Sequence, residues 1–189
     1  MTLLPCYDLK LNFPCFKMGF TDPIFPSSTE LKTQVKLFEG KEIFSEELLS
    51  FFQKKNLYPY RSQMGYTVPG ASMRIHVDGY YLGNKLMTPV YAINWVTNPT
   101  NTSMKWYDNH NKPGKIHVTS AKTTLTYWES ADITLIHEKQ ISGPTLVRVD
   151  IPHEGCNNSD MPRWNYSLRL SPYVQTWEQA VDMFSDLIV

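Results

Sequence analysis

The sequence predicts a mainly β fold, a sandwich or jelly roll flanked by α-helices towards both ends. Three observations lead to this prediction. From residue 73 onward, short runs rich in β-branched and aromatic residues alternate with clusters of Gly, Pro, Asn and Asp. The 13 Pro and nine Gly in 189 residues favour many turns over long helices. Helix signals are found in two segments, one near residue 45 and one at the C-terminal end.

The two helices are predicted from their N-terminal caps. Ser45 is followed by two glutamates and then by apolar residues at helical spacing, which predicts a short helix through about Lys55. Thr176 and Gln179 have the spacing of a capping box, and apolar residues follow them at helical spacing. The first forty residues contain four prolines and are predicted to be irregular.

The strand candidates share high β propensity and flanking turn residues. They are Met73–Val77, Val90–Val96, Met104–Tyr107, Lys115–Val118, Thr123–Tyr127, Thr145–Ile151 and Trp164–Leu170. Many short strands separated by turns favour a sandwich or barrel over a parallel α/β fold. The segment Tyr58–Gly70 is interpreted as a loop that covers the functional site. The length fits one domain, residues 1–189.

Composition narrows the functional classes. Lys plus Arg equals Asp plus Glu at 18 each, so there is no strong charge signal for binding nucleic acid or an anionic membrane. No apolar run approaches the roughly 20 residues that cross a bilayer, and polar residues interrupt the N-terminus, so no membrane span or signal peptide is predicted. Cys6, Cys15 and Cys156 match no disulfide or zinc framework, which favours free thiols and a cytoplasmic location.

The segment around His76 predicts half of a metal site. On a strand, residues two apart share a face, so His76 and Asp78 direct an imidazole and a carboxylate to one point. Ile75 and Val77 then face the opposite layer, and Gly79 is expected to let the chain turn immediately afterwards. The alternative is a polar pair on a strand that binds no metal.

His153 is the best candidate for a third ligand. His110 lies in a polar segment interpreted as a solvated turn, His117 has no anion site after it, and His137 is placed at the end of an element. His153 ends a strand-like run, and a strand with basic residues begins ten positions later. Two histidines and one carboxylate leave about three positions of an octahedral site open, as non-haem Fe(II) oxygenases require. A structural zinc site is usually closed by four protein ligands.

The basic strand alternates strictly between polar and apolar side chains. One face carries Arg163, Asn165, Ser167 and Arg169. Two guanidinium groups, an amide and a hydroxyl on one face suit a bound carboxylate, which arginine holds through two parallel hydrogen bonds. The alternative is a sheet whose polar face is solvated.

These residues resemble the signature of the Fe(II)/2-oxoglutarate dioxygenases, which share a double-stranded β-helix, the cupin-like jelly roll. The matching positions are His76-Val77-Asp78, then His153, then Arg163. The segment from Pro152 to Asn158 is similar to a turn in the aspartyl/asparaginyl and prolyl hydroxylase-like branches. The pattern from Arg163 to Arg169 resembles a strand of the oxidative nucleic-acid dealkylases. The resemblance covers roughly residues 62–171, the expected double-stranded β-helix core between an N-terminal extension and the C-terminal helix.

The resemblance implies an enzyme with Fe(II) and 2-oxoglutarate as cofactors and O₂ as cosubstrate. His76, Asp78 and His153 would hold the iron. Arg163 would anchor 2-oxoglutarate, with Arg169 as a second candidate. Further cosubstrate contacts are expected from Ser167, Asn94 and Tyr91, and substrate contacts from Arg74, Tyr81 and Trp106. Such enzymes release succinate and CO₂ while they hydroxylate an aliphatic carbon.

Two other interpretations remain open at the level of sequence. A cupin-like protein without oxygenase activity would bind another divalent ion at the same three ligands. A structural β-sandwich that serves as an interaction protein would carry these polar residues by coincidence. The residues do not distinguish a protein substrate from a small molecule.

Overall fold

The computed structural model describes residues 3–23, 33–82, 84–118, 124–171 and 173–189. Most of its regular structure is β-strand. The strands are β1 Cys6–Asp8, β2 Thr33–Phe38, β3 Tyr58–Thr67, β4 Ala71–Ser72, β5 His76–Leu82, β6 Lys85–Met87, β7 Tyr91–Thr97, β8 Thr102–Asp108, β9 Lys115–Val118, β10 Thr124–Tyr127, β11 Thr134–Lys139, β12 Thr145–Arg148, β13 His153–Asn157 and β14 Arg163–Ser171. The helices are α1 Gly40–Ile43, α2 Glu46–Lys54 and α3 Trp177–Met183, with a 3-10 turn at Ser130–Asp132.

The strands form two antiparallel sheets. One has the order β1-β12-β7-β14-β3-β2, and the other has the order β11-β8-β13-β5-β10-β9. Eight strands (β3, β5, β7, β8, β11, β12, β13 and β14) pair in a nested way: first with eighth, second with seventh, third with sixth and fourth with fifth. This is the order of a jelly roll, or double-stranded β-helix. The predicted fold class is therefore confirmed.

The helices cover the outer face of the six-stranded sheet. The Ser45 hydroxyl accepts a hydrogen bond from the Leu48 amide at 3.1 Å and donates one to the Pro14 carbonyl at 2.6 Å. Thr176 and Gln179 form the predicted capping box at the start of α3. Apolar residues of α2 and α3 pack with outward-facing residues of β7 and β14 in one cluster. No helix in the described ranges is long and apolar enough to span a membrane.

The space between the two sheets is divided into an apolar part and a polar part. Ala92 and Val96 of β7 belong to a small apolar cluster that also includes Trp106 and Met104. Asn94, on the same face of β7, lines a polar cavity together with inward-facing residues of β14. A jelly roll is usually apolar between its sheets, so a polar cavity marks this end as the candidate site.

Three local predictions are wrong. Tyr58–Thr67 is strand β3, not a covering loop, because it pairs with β14 on one side and with β2 on the other. Pro59 lies beyond the residues that pair with β2, which is why a proline is tolerated there. β5 continues through Gly79 to Leu82, so the chain does not turn at that glycine. The first forty residues are not wholly irregular, since β1 and β2 form the two edges of the six-stranded sheet.

The remaining strand predictions differ mainly at their ends. Lys115–Val118 agrees with β9, and β14 extends the predicted Trp164–Leu170 by one residue on each side. Strand β12 ends at Arg148, three residues before the predicted end, and strand β5 begins at His76, three residues after the predicted start at Met73. Thr123, the first residue of another predicted strand, lies outside the described residues. Strand ends depend on the partner strand, which local composition does not specify.

Candidate metal and anion site

His76, Asp78 and His153 meet at one point between the sheets. His76 begins β5 and lies directly opposite His153, the first residue of β13. The two imidazole rings are 4.5 Å apart, and His76 Nε2 is 3.5 Å from Asp78 Oδ1. One ligand atom from each residue lies within 4.8 Å of the others. The three residues therefore form a cluster that could hold a metal ion.

Both imidazoles are oriented by backbone carbonyls. His76 Nδ1 lies 2.6 Å from the Arg74 carbonyl, and His153 Nδ1 lies 2.9 Å from the Ile151 carbonyl. A carbonyl only accepts, so each Nδ1 must carry the proton and donate it. Each Nε2 then keeps a free lone pair, which is the form that binds a metal. Both histidines are buried, so this arrangement is shielded from bulk water.

Asp78 is held by Arg169. The Arg169 guanidinium donates to Asp78 Oδ2, and both side chains are largely buried. Burial by itself raises the pKa of the Asp78 carboxyl, but the charge of Arg169 holds that pKa well below its ordinary range. Asp78 is therefore a carboxylate at neutral pH. Its contribution to stability is present above about pH 4 and is lost as the pH falls towards the pKa in the folded state.

Burial is the main cause that lowers the pKa of His153 from its ordinary value of 6.5 to about 4, and the Asp78 carboxylate opposes it with a smaller effect. Between these two values the unfolded chain binds more protons than the folded protein. Stability should therefore fall as the pH falls from 6.5 to 4.

For the metal-free protein, we expect His153 to contribute about 2–3 kcal/mol to the loss of unfolding free energy between pH 7 and pH 4.5. Urea denaturation at both pH values measures this loss. His153→Gln should reduce it, and His117→Gln, on the exposed strand β9, should leave it unchanged. Equal losses in all three proteins would contradict the assignment.

Arg163 is buried without a charged partner. Only 3% of the residue is exposed, its Nε has no hydrogen-bond partner, and no ion pair to it occurs in the described part of the chain. Burial lowers the pKa of its guanidinium to about 10. Its guanidinium lies against Gly155, where a Cβ would be only 2.9 Å from Nη1, so the backbone forms a close wall for it. An unpaired buried cation is costly, so this position is suited to an anionic ligand.

A cavity of about 60 Å³ joins the three ligands to the arginines. Its lining includes the whole polar face of β14, as the sequence predicts: Arg163, Asn165, Ser167 and Arg169. Several buried polar atoms around it have no protein partner, namely Asn94 Oδ1, Asn165 Oδ1, Arg163 Nε and Arg169 Nε. Unsatisfied polar groups on the wall of one cavity indicate a polar occupant.

Sequence reasoning missed part of the lining. Arg61 and Gln63 come from β3, which was interpreted as a loop, and Tyr80 comes from the unrecognised continuation of β5. Arg61, Gln63 and Gly65 alternate with Ser62 and Met64, so a period of two was present in the segment. Its tyrosines, proline and glycine obscured that signal.

Four predicted contacts do not reach the cavity. Tyr91 lies three residues before the cavity residue Asn94 on strand β7, so its side chain is on the opposite face of the sheet. Its hydroxyl donates to the Leu170 carbonyl at 2.9 Å. Trp106 faces inward but lies in the apolar cluster, where its Nε1 donates to the Arg148 carbonyl at 2.8 Å. Arg74 is exposed and lies over the Tyr127 ring. Tyr81 is half exposed, because it alternates with the cavity residue Tyr80.

Comparisons with known proteins give a coarse likeness in fold. No protein-family model matches the chain, and no curated protein matches its sequence. Among solved structures, ycfD from E. coli aligns with 87% of this chain and 40% of its own at 12% identity and a TM-score of 0.43. A variant of oxalate decarboxylase OxdC from Bacillus subtilis aligns with 86% of this chain and 32% of its own at 12% identity and a TM-score of 0.35. Vicilin from Capsicum annuum aligns with 92% of this chain and 40% of its own at 10% identity and a TM-score of 0.31.

The chain spans less than half the length of each of these proteins. Likeness at this level concerns the arrangement of strands alone. The chemistry of the site therefore has to be inferred from the residues of this chain.

Proposed function

We propose that this protein is an Fe(II)- and 2-oxoglutarate-dependent dioxygenase that hydroxylates an aliphatic carbon of its substrate. The observation that carries the proposal is the combination of two features in one cavity. Two histidines and one carboxylate converge and leave part of a metal's coordination sphere open. Beside them, Arg163 is buried without an anionic partner. A metal-binding acid such as 2-oxoglutarate satisfies both features at once.

The donor set fits iron. His76 and His153 each present a free Nε2, and Asp78 is ionised by its contact with Arg169. When bound, Fe(II) and 2-oxoglutarate would supply the activation of O₂, with release of succinate and CO₂. The chain's own residues orient and shield these groups: Arg169 fixes the ligand carboxylate, and the two sheets exclude water.

Arg163 is assigned to the far carboxylate of 2-oxoglutarate. Arg169 is less suited to that role because Asp78 already occupies one side of its guanidinium. Asn94 and Ser167 lie opposite each other on β7 and β14 and line the same cavity, so both are placed to hydrogen-bond the bound acid. Tyr91 is not part of this group, since its hydroxyl is satisfied on the other face of the sheet.

A cupin-like protein that binds another divalent metal is the main competing function. The three ligands alone suit it equally well. The cupin-like function does not require a buried arginine without an anionic partner in the same cavity, whereas the oxygenase requires one to bind 2-oxoglutarate. A purely structural sandwich is disfavoured more strongly, because buried polar atoms without hydrogen-bond partners lower the stability of the fold and would serve no purpose in it.

We expect Arg163→Gln to weaken 2-oxoglutarate binding by about 2–5 kcal/mol while the affinity for Mn(II) stays unchanged, because the variant removes a buried anchor but no metal ligand. Calorimetric titration of the Mn(II)-loaded protein measures this change. Arg148→Gln is the matched control, since Arg148 is paired with Asp150 at 2.7 Å and does not line the cavity.

The outcomes distinguish the possible anchors. Unchanged affinity in Arg163→Gln would transfer the anchor to Arg169. A wild-type protein that binds Mn(II) but not 2-oxoglutarate would exclude the oxygenase and leave the cupin-like function.

A further inference from the structure

The cavity holds more positive charge than the proposed cofactors neutralise. Its described lining carries three arginines, Arg61, Arg163 and Arg169, and a single acid, Asp78. Fe(II) brings two positive charges and 2-oxoglutarate brings two negative ones, so their charges cancel. The surplus of about two positive charges on the lining remains after both have bound. Surplus positive charge on the wall of a partly enclosed cavity favours the binding of a further anion.

Arg61 is the arginine left without a role. Asp78 engages Arg169, and the proposed 2-oxoglutarate engages Arg163. Arg61 lies directly opposite Arg169 on the neighbouring strand β3, so two cations face the same space. Among its guanidinium nitrogens, Nη2 is buried without a hydrogen-bond partner. Burial lowers the pKa of Arg61, and the charge of Arg169 lowers it further.

Arg61 lies near two tyrosine rings and close to the protein surface, where a ligand could reach it from solvent. Its guanidinium lies 5.7 Å from the centre of the Tyr80 ring, which restricts its orientation. The rings of Tyr60 and Tyr80 are 6.2 Å apart, and 39% of Tyr60 is exposed. Arg61 itself is half-buried, whereas Arg163 and Arg169 are almost wholly buried. A ligand held at Arg61 therefore lies towards solvent from the metal ligands.

We propose that the substrate of this enzyme is anionic, and that Arg61 binds its carboxylate or phosphate group beside the Tyr60 and Tyr80 rings. The inference rests on the proposed function and deepens it by naming the substrate class. A guanidinium that lies against a ring and has a buried Nη2 without a hydrogen-bond partner offers donors to a carboxylate or phosphate group. The anionic end would be held at Arg61, and the carbon to be hydroxylated would point towards His76, Asp78 and His153.

The test uses the whole chain loaded with Zn(II) in place of iron and saturated with 2-oxoglutarate, so that no turnover occurs. Acetate and inorganic phosphate are titrated separately while NMR follows the Nε–Hε signals of Arg61 and of Arg169, which lies opposite it and remains in variants at position 61. The titrations yield a dissociation constant for each anion. We expect at least one anion to shift the Arg61 signal saturably. Arg61→Gln should weaken that binding at least tenfold. Arg61→Lys should weaken it less, since it keeps the positive charge but loses the two parallel N–H donors of the guanidinium.

Lys36→Gln is the matched control. Lys36 lies on the adjacent strand β2 and is exposed, so the variant removes the same charge without changing the cavity. Its dissociation constants should equal those of the wild type. A stronger effect with acetate assigns a carboxylate substrate, and a stronger effect with phosphate assigns a phosphorylated one.

Several results would overturn the inference. They are equal weakening in Lys36→Gln, no weakening in a folded Arg61→Gln protein, or anions that bind only by displacing 2-oxoglutarate. Failure of the proposed function is seen separately, because the wild-type protein would then fail to bind 2-oxoglutarate before any other anion is added.

Discussion

Replacement of His76 or His153 by Ala is expected to abolish the visible charge-transfer band that Fe(II) and 2-oxoglutarate produce together under anaerobic conditions. In the proposed site, each histidine is one of three protein ligands. Changes to residues that only support the ligands typically lower metal affinity about 10- to 100-fold, so loss of a ligand should lower iron affinity by more than about 100-fold. The measurement is an anaerobic absorption spectrum with increasing Fe(II) at saturating 2-oxoglutarate. Turnover of 2-oxoglutarate should be lost in the same variants.

His117→Ala is the control for this experiment. His117 also lies on a strand, pairs with β10 and has an aromatic neighbour in Tyr127, but it is exposed and outside the cluster. Its band should match that of the wild type. A band that survives in folded His76→Ala protein would show that the metal is bound elsewhere. Absence of the band in folded wild-type protein would count against the oxygenase as a whole.

The two arginines of β14 are expected to affect stability in opposite ways. Arg169→Met leaves the Asp78 carboxylate largely buried and without its cation, which should cost about 3–5 kcal/mol of unfolding free energy. Arg163→Met removes a cation that has no partner in the ligand-free protein, so it should be neutral or stabilising. Urea denaturation of the metal-free variants at pH 7 compares them directly.

A double variant tests the reason for this difference. Asp78→Asn combined with Arg169→Met should recover part of the stability lost in Arg169→Met alone, because no uncompensated charge remains. Similar destabilisation by Arg163→Met and Arg169→Met would mean that both side chains act through packing. In that case the electrostatic distinction between the paired and the unpaired arginine would be wrong.

The local features of the site follow from the sequence alone. Alternation along a strand places His76 with Asp78 and aligns Arg163 with Arg169, and the structure confirms both faces. The helix caps at Ser45 and Thr176 are equally local, because a side chain there bonds to an amide only three residues away. Period and capping depend on neighbours in the chain, so they can be predicted from the order of residues.

The contacts between strands depend on the three-dimensional fold and are not specified by local sequence patterns. Arg169 pairs with Asp78 across 91 positions of sequence, and Arg61 enters the cavity from a segment that was interpreted as a loop. Tyr91 and Trp106 are on suitable strands, yet one faces the wrong side and the other lies in the apolar end of the interior.

The order of residues specifies which side chains share a face, because the alternation of a strand is set by the backbone. Which faces meet depends on the register and neighbours of strands far apart in the chain, and these are set by burial of the whole sandwich. The shared face of His76 and Asp78 could therefore be predicted from the sequence. The charge balance of the cavity, in which Arg169 pairs with Asp78 while Arg61 and Arg163 line the same space, depends on the fold.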